Sequence, residues 1–142
     1  MKPFSFNSPE ARHYFKYVTL LVLIMNGTAG VIGGLAFILY SDGSAMGMPV
    51  LYLAHSPFQD YFIPGLILFS TIGVLSLVTM VWLVFNFRHH AWLVMGEGVI
   101  LCAWILIQII MLREVNFFHV VFGVVGIALI VLGGYLRRFE FK

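Results

Sequence analysis

The stretch His90–Leu112, HAWLVMGEGVILCAWILIQIIML, decides the fold. After its first histidine it holds a single ionisable side chain of marked polarity, Glu97, in an otherwise apolar run. About 20 apolar residues suffice to carry a helix across the hydrocarbon core of a bilayer. Three further runs meet that condition, at about Tyr17–Tyr40, Tyr61–Phe87 and Phe117–Leu136. Together they predict an all-α bundle of four transmembrane helices, a single integral membrane domain spanning residues 1–142.

Composition agrees. Of the 142 residues, 61% are hydrophobic and 10% charged, and the mean hydropathy is +1.00. Soluble domains carry about a quarter charged residues. The first run exceeds the length of a signal-peptide core, a polar aromatic segment precedes it and no A-x-A site follows, so it reads as a retained helix. Basic residues set the expected orientation. Lys2, Arg12 and Lys16 precede the first span, Arg88 lies between the second and third, and Arg137, Arg138 and Lys142 follow the fourth. Only Arg113 falls on the other side. The positive-inside rule then places both termini in the cytoplasm. No basic face with interleaved aromatics is present, so no nucleic-acid partner is expected. The lone Cys102 excludes an intramolecular disulfide and a cysteine-based zinc site.

The second-to-third and third-to-fourth links are short, making those helices antiparallel neighbours. The sizeable connection, residues 41–60, faces outward, and its segment Met48–Ala54 is apolar enough to lie on the membrane surface. Near the N-terminus, Ser8-Pro9-Glu10 predicts a short interfacial helix, with Ser8 as cap and Tyr14 and Phe15 dipping into lipid.

Glu97 is the residue most suggestive of chemistry. It lies roughly 9 Å below the basic boundary at about 1.5 Å per residue. An acid there costs about 2.5–3.5 kcal/mol unless it faces the bundle interior or water. Leu101, Trp104, Gln108 and Met111 continue its stripe at helical spacing. By depth, Asn26 or Thr79 is the expected hydrogen-bond partner of Glu97, unless the acid is protonated. Two readings follow: a polar tie between helices or lining of a lipid or quinone cavity, and a proton-carrying or cation-binding group of a small channel or carrier.

Haem is not expected, because no two histidines share a mid-membrane depth on facing helices. His89 and His90 are adjacent at the basic edge and are expected among lipid headgroups beside Arg88. No metal-ligand spacing is recognised. Neither G-x-S-x-G nor H-E-x-x-H occurs, and Ser70, Thr71 and Ser76 are expected to bond their own helix or a neighbour. The chain therefore reads as non-enzymatic. Gly30-xxx-Gly34, and the pair Gly123 and Gly126, form smooth faces suited to helix packing, within the chain or between chains.

The stretch HSPFQDYFIPG, residues 55–65, admits two helix starts. Ser56-x-x-Gln59 has capping-box form with Pro57 at the first position, which would put a bend at Pro64. Alternatively Asp60 is the cap and Pro64 lies in the first turns.

SPFQDYFIPGLILFSTIG and WLVMGEGVILCAWILIQIIMLREVNFFH, with the glycine-containing last helix, resemble small uncharacterised bacterial four-span membrane proteins. The likeness runs from about Ser56 to Tyr135 and is firmest at D-Y-x-I-P-G, Asp60–Gly65, and W-I-x-x-Q, Trp104–Gln108. It implies a four-helix protein of the bacterial inner membrane and brings no activity. The expectation is an accessory or assembly subunit or a homo-oligomer, in contact with lipids and with copies of itself or a larger complex.

Overall fold

The computed structural model describes residues 8–140. Lys2 and Lys142, counted above for orientation, lie outside the described residues. Four helices are long and apolar enough to cross a membrane: α1 (Pro9–Leu39), α2 (Phe62–Val84), α3 (His90–Leu112) and α4 (Phe117–Glu140). The chain is an all-α, multi-pass membrane protein built as a four-helix bundle.

The expected separate N-terminal helix is corrected. Ser8 caps α1 by accepting the Ala11 N–H at 3.1 Å, and Pro9 follows at the first helical position. No glycine or proline interrupts the stretch from Glu10 to Tyr17, so one helix of 31 residues forms instead of two. At about 1.5 Å per residue it outreaches a hydrocarbon core of about 30 Å. Phe15 turns into the bundle, its ring 4.3 Å from that of Tyr135 on α4. The other ends shift less. α2 stops at Val84, where Asn86 adopts a left-handed φ of 51°, and α4 runs past Leu136 to Glu140.

Around the bundle, α1 lies beside α2 and α4, while α3 lies beside α2 and α4. The pairs α1/α3 and α2/α4 therefore face across the diagonals. Apolar burial alone does not hold such helices together in lipid, so close packing must. At the α3–α4 seam, a Cβ on Gly98 would sit 2.5 Å from the Gly126 carbonyl oxygen, and one on Gly126 2.6 Å from Cys102 Sγ.

The α1–α2 seam is stranger. Leu68–Val74 in the middle of α2 is π-helical. A π-turn is wider than an α-turn, because its hydrogen bonds span five residues. α1 accommodates the swelling with Gly30 and Gly34. A Cβ at Gly30 would lie 2.5 Å from the Gly73 nitrogen, and one at Gly34 2.6 Å from the Phe69 nitrogen. The GxxxG pair is thus used within the chain.

The loop from Tyr40 to Tyr61 holds two 3-10 turns, Ser44–Met46 and Val50–Leu53. Leu51 and Tyr52 are exposed, whereas Leu53 tucks under with Phe37 and Tyr61. Tyr61 anchors the loop: its ring stacks on Phe37 at 4.8 Å, its N–H donates to Ser41 and its hydroxyl to the Pro49 carbonyl at 3.2 Å. The helix starts near the later of the two expected positions, with Tyr61 rather than Asp60 at the N-cap. Ser56 Oγ accepts from the Phe58 N–H and donates to the Leu53 carbonyl, which closes a turn and caps no helix. Asp60 accepts the Phe62 N–H at 2.9 Å where α2 begins. Pro64 sits in the first turn, where its missing N–H costs nothing, so it bends nothing.

Candidate functional site

Glu97 is 1% exposed and sits at the middle of the bundle, pointing at α1 and α2. The Ser76 hydroxyl donates to Glu97 Oε1 at 2.5 Å. Asn26, 2% exposed on α1, donates through Nδ2 to Ser76 Oγ at 2.9 Å and to Glu97 Oε1 at 3.5 Å. Three helices meet through these side chains, and the Asn26–Glu97 link crosses a diagonal where the backbones stay apart. Around it, Gly27 lets Leu77 and Ser76 approach: a Cβ there would be 3.2 Å from Ser76 Cβ.

Of the two expected partners of Glu97, Asn26 reaches it and Thr79 does not. Thr79 is fully buried, yet its Oγ1 has no hydrogen-bond partner among the described residues. Ser76, one turn earlier on the same face of α2, takes the place expected of it. Ser70 and Thr71 bond back to carbonyls of the preceding turn. Asn26 Oδ1 and Glu97 Oε2 are likewise buried without a partner.

The stripe beyond Glu97 faces inward. Leu101 and Trp104 are buried, and Gln108 is half-buried. Toward the loop end, Trp104 and Gln108 line a cavity of about 30 Å³ with Phe37, Leu53, Tyr61 and Pro64. A cavity of that size holds about two water molecules. Trp104 Nε1 is buried with no protein acceptor among the described residues, which makes water its natural partner. A shallow groove of about 360 Å³ runs along Pro57–Ile63 on the outside of the same end.

Glycine use divides in two. Gly30, Gly34 and Gly126 are in close helix contact, whereas Gly123 has open space where a Cβ would be, as do Gly96 and Gly134. Gly123 is half-buried, with no neighbour where a Cβ would be, although its carbonyl oxygen lies 4.0 Å from Cys102 Sγ on α3.

The opposite end is tied together by polar side chains. Lys16 Nζ donates to the Val84 carbonyl at 3.2 Å and to Asn86 Oδ1 at 3.0 Å, closing the end of α2 from α1. His90 is buried and not among headgroups: its Nδ1 lies 3.0 Å from Glu140 Oε1 and 2.9 Å from the Phe87 carbonyl. Both neighbours are acceptors, so Nδ1 carries the proton. Glu140 also accepts the Ala91 N–H at 3.2 Å, placing an acid at the start of α3, where the helix dipole favours it. Arg137 stacks over Trp92 at 4.1 Å.

Sequence reasoning missed three of these features. Ser76 was legible only as a hydroxyl seeking some neighbour. Glu140 lay beyond the expected end of the fourth span, and the π segment has no local signature. No family model, no curated protein and no solved structure matches this chain.

Proposed function

We propose that the chain is a non-enzymatic protein of the bacterial inner membrane that serves as an accessory or assembly subunit, packing against copies of itself or a larger membrane complex. Both termini lie in the cytoplasm on this reading, because Arg12, Lys16, Arg88, Arg137 and Arg138 share one end and Arg113 stands at the other. The likeness to small bacterial four-span proteins supports the compartment.

The observation that carries the reading is the open glycine face of α4. Gly123 and Gly134 lie about three turns apart on one side of the helix, with free space at both and the exposed Ile127 between them. Glycines facing inward are already in close contact, so these two leave room for the backbone of a second chain. Native mass spectrometry and cross-linking in mild detergent test it. A dimer or larger species, disrupted by Gly123→Leu, is the expected result. A monomer that captures no copy and no other membrane protein overturns it.

A second reading, a small channel or proton-coupled carrier centred on Glu97, is favoured by one specific observation, the unpartnered Glu97 Oε2 deep in the bundle. Flux into proteoliposomes that is lost in Glu97→Gln would support it.

A further inference from the structure

The four helices form two zipped hairpins. Between α1 and α2 the backbones nearly touch. A Cβ on Gly30 would lie 2.5 Å from the Gly73 nitrogen, one on Gly65 2.6 Å from Phe37 Cβ, and one on Gly73 2.8 Å from the Val31 nitrogen. α3 and α4 meet in the same way: a Cβ on Gly98 would lie 2.5 Å from the Gly126 carbonyl oxygen and one on Gly133 2.8 Å from the Met95 nitrogen. Among the described residues, every helix glycine in tight contact meets its own hairpin partner, and none meets the other hairpin. In lipid, where apolar burial does not drive association, close approach of this kind is what fixes two helices together. The seam between the α1–α2 and α3–α4 hairpins lacks it.

That seam is uneven along its length. At the end opposite the loop, the turn Phe85–His89 joins the hairpins covalently and the Phe15 ring lies against Tyr135. Leu23, Leu83, Ala91 and Val94 close on one another there with no exposure. Toward the loop end no covalent link joins the hairpins, and Trp104 and Ile105 each keep 8% exposure. The cavity of about 30 Å³ lies in the seam itself, with Phe37 and Pro64 on one side and Trp104, Gln108 and Met111 on the other. Between the two ends the contact is polar. Ser76 and Asn26, both of the first hairpin, donate to a single atom of the second, Glu97 Oε1.

We propose that the α1–α2 and α3–α4 hairpins are two rigid bodies that part at the loop end about the Phe85–His89 turn, with Glu97 Oε1 as the latch that holds them closed. Hinged parting of packed helices is an ordinary two-state motion. Here it widens the cavity along the stripe from Gln108 and Trp104 toward Glu97. Water admitted by that route reaches Trp104 Nε1 and Glu97 Oε2, which the closed bundle leaves without a partner among the described residues. The closed state therefore depends on the two bonds to Oε1. The hinge goes beyond both functional readings and depends on neither.

Double electron–electron resonance on the full chain in lipid nanodiscs tests this, with Cys102→Ala as background and nitroxide labels on paired introduced cysteines. Leu39→Cys with Ile110→Cys spans the seam at the loop end, at positions 71% and 66% exposed. Tyr17→Cys with Trp92→Cys spans it at the opposite end, and Ile110→Cys with Val120→Cys stays within the second hairpin. The expected result is one narrow distance for each of the last two pairs. For the Leu39–Ile110 pair, Ser76→Ala raises the ratio of a longer to a shorter component about tenfold, equivalent to about 1.4 kcal/mol, whereas Ser76→Thr, which keeps the hydroxyl, does not. Asn26→Ala, which removes the other donor to Oε1, shifts the ratio in the same direction and replaces Ser76→Ala if that variant does not fold. A Leu39–Ile110 distribution that the loss of these donors leaves unchanged overturns the proposal, because Glu97 Oε1 would then hold nothing. Equal broadening of all three pairs also overturns it, because the hairpins would then not be rigid bodies.

Discussion

The Ser76 hydroxyl reaches Glu97 Oε1 across the α2–α3 seam at 2.5 Å, and the same hydroxyl accepts from Asn26 on α1. One small side chain thereby joins three helices. Ser76→Ala removes a donor from a buried carboxyl and takes from Asn26 Nδ2 the shorter of its two bonds, so it should destabilise the bundle by about 1–3 kcal/mol. Ser76→Thr keeps the hydroxyl and should recover part of that. Unfolding in mixed micelles with increasing SDS measures both.

Substitution of the contact glycines should separate from that of the open ones. Gly30→Ala drives a methyl to 2.5 Å from the Gly73 backbone, and overpacking of this kind costs about 1–3 kcal/mol. Gly123→Ala meets nothing inside the chain and should leave monomer stability unchanged, or raise it by up to about 1 kcal/mol through helix propensity. Thermal melts of the two variants in detergent, where copies are dissociated, check the contrast.

Lys16→Met removes the ammonium that bonds Val84 and Asn86. The bonds are at an exposed end, so the global effect should stay below about 1 kcal/mol. The local effect is the diagnostic one. Amide hydrogen exchange should accelerate over Val81–Asn86 and stay unchanged in α3.

How far these features could be read beforehand depended on what each required. Four spans follow from run length, and the pairing of Asn26 with Glu97 follows from counting depth along two helices. Depth does not fix rotation, however, and Ser76 and Thr79 differ by one turn. Ser76 took the place that depth alone allotted to Thr79. Proline 64 looked like a kink because the helix start was ambiguous between Ser56 and Asp60, and only the Asp60–Phe62 bond decides it. His90 was expected outside the bundle because its partner, Glu140, lay on a turn of α4 beyond the expected end. The π segment depends on what α1 places opposite it, which no local pattern in α2 reveals.

The outer loop should respond to acid in a defined window. Asp42 is held below the usual carboxylate value by the Ser44 hydroxyl, at 2.7 Å, and then by the Ser44 N–H, at 3.0 Å. A carboxylate with a lowered folded-state pKa stabilises above its unfolded value, 3.8, and loses that contribution as pH falls through the lower folded value. The turn at Asp42–Ser44 should therefore hold at neutral pH and loosen only below about pH 3.8, read by exchange of the Ser44 amide. Asp42→Asn, which keeps an acceptor without the charge, should remove the acid dependence.

The bulge in α2 and the bare backbone of α1 constrain each other's history. An extra residue accommodated in one helix is written as missing methyl groups in another, at positions 30 and 34, some forty residues upstream in the chain. Neither change is tolerable first unless the glycines precede the bulge. A homologous chain in which Leu68–Val74 is shortened by one residue should be free to carry alanine or serine at both positions, and a chain that keeps the bulge should not. Reading the two segments together across species would date the order in which they arose.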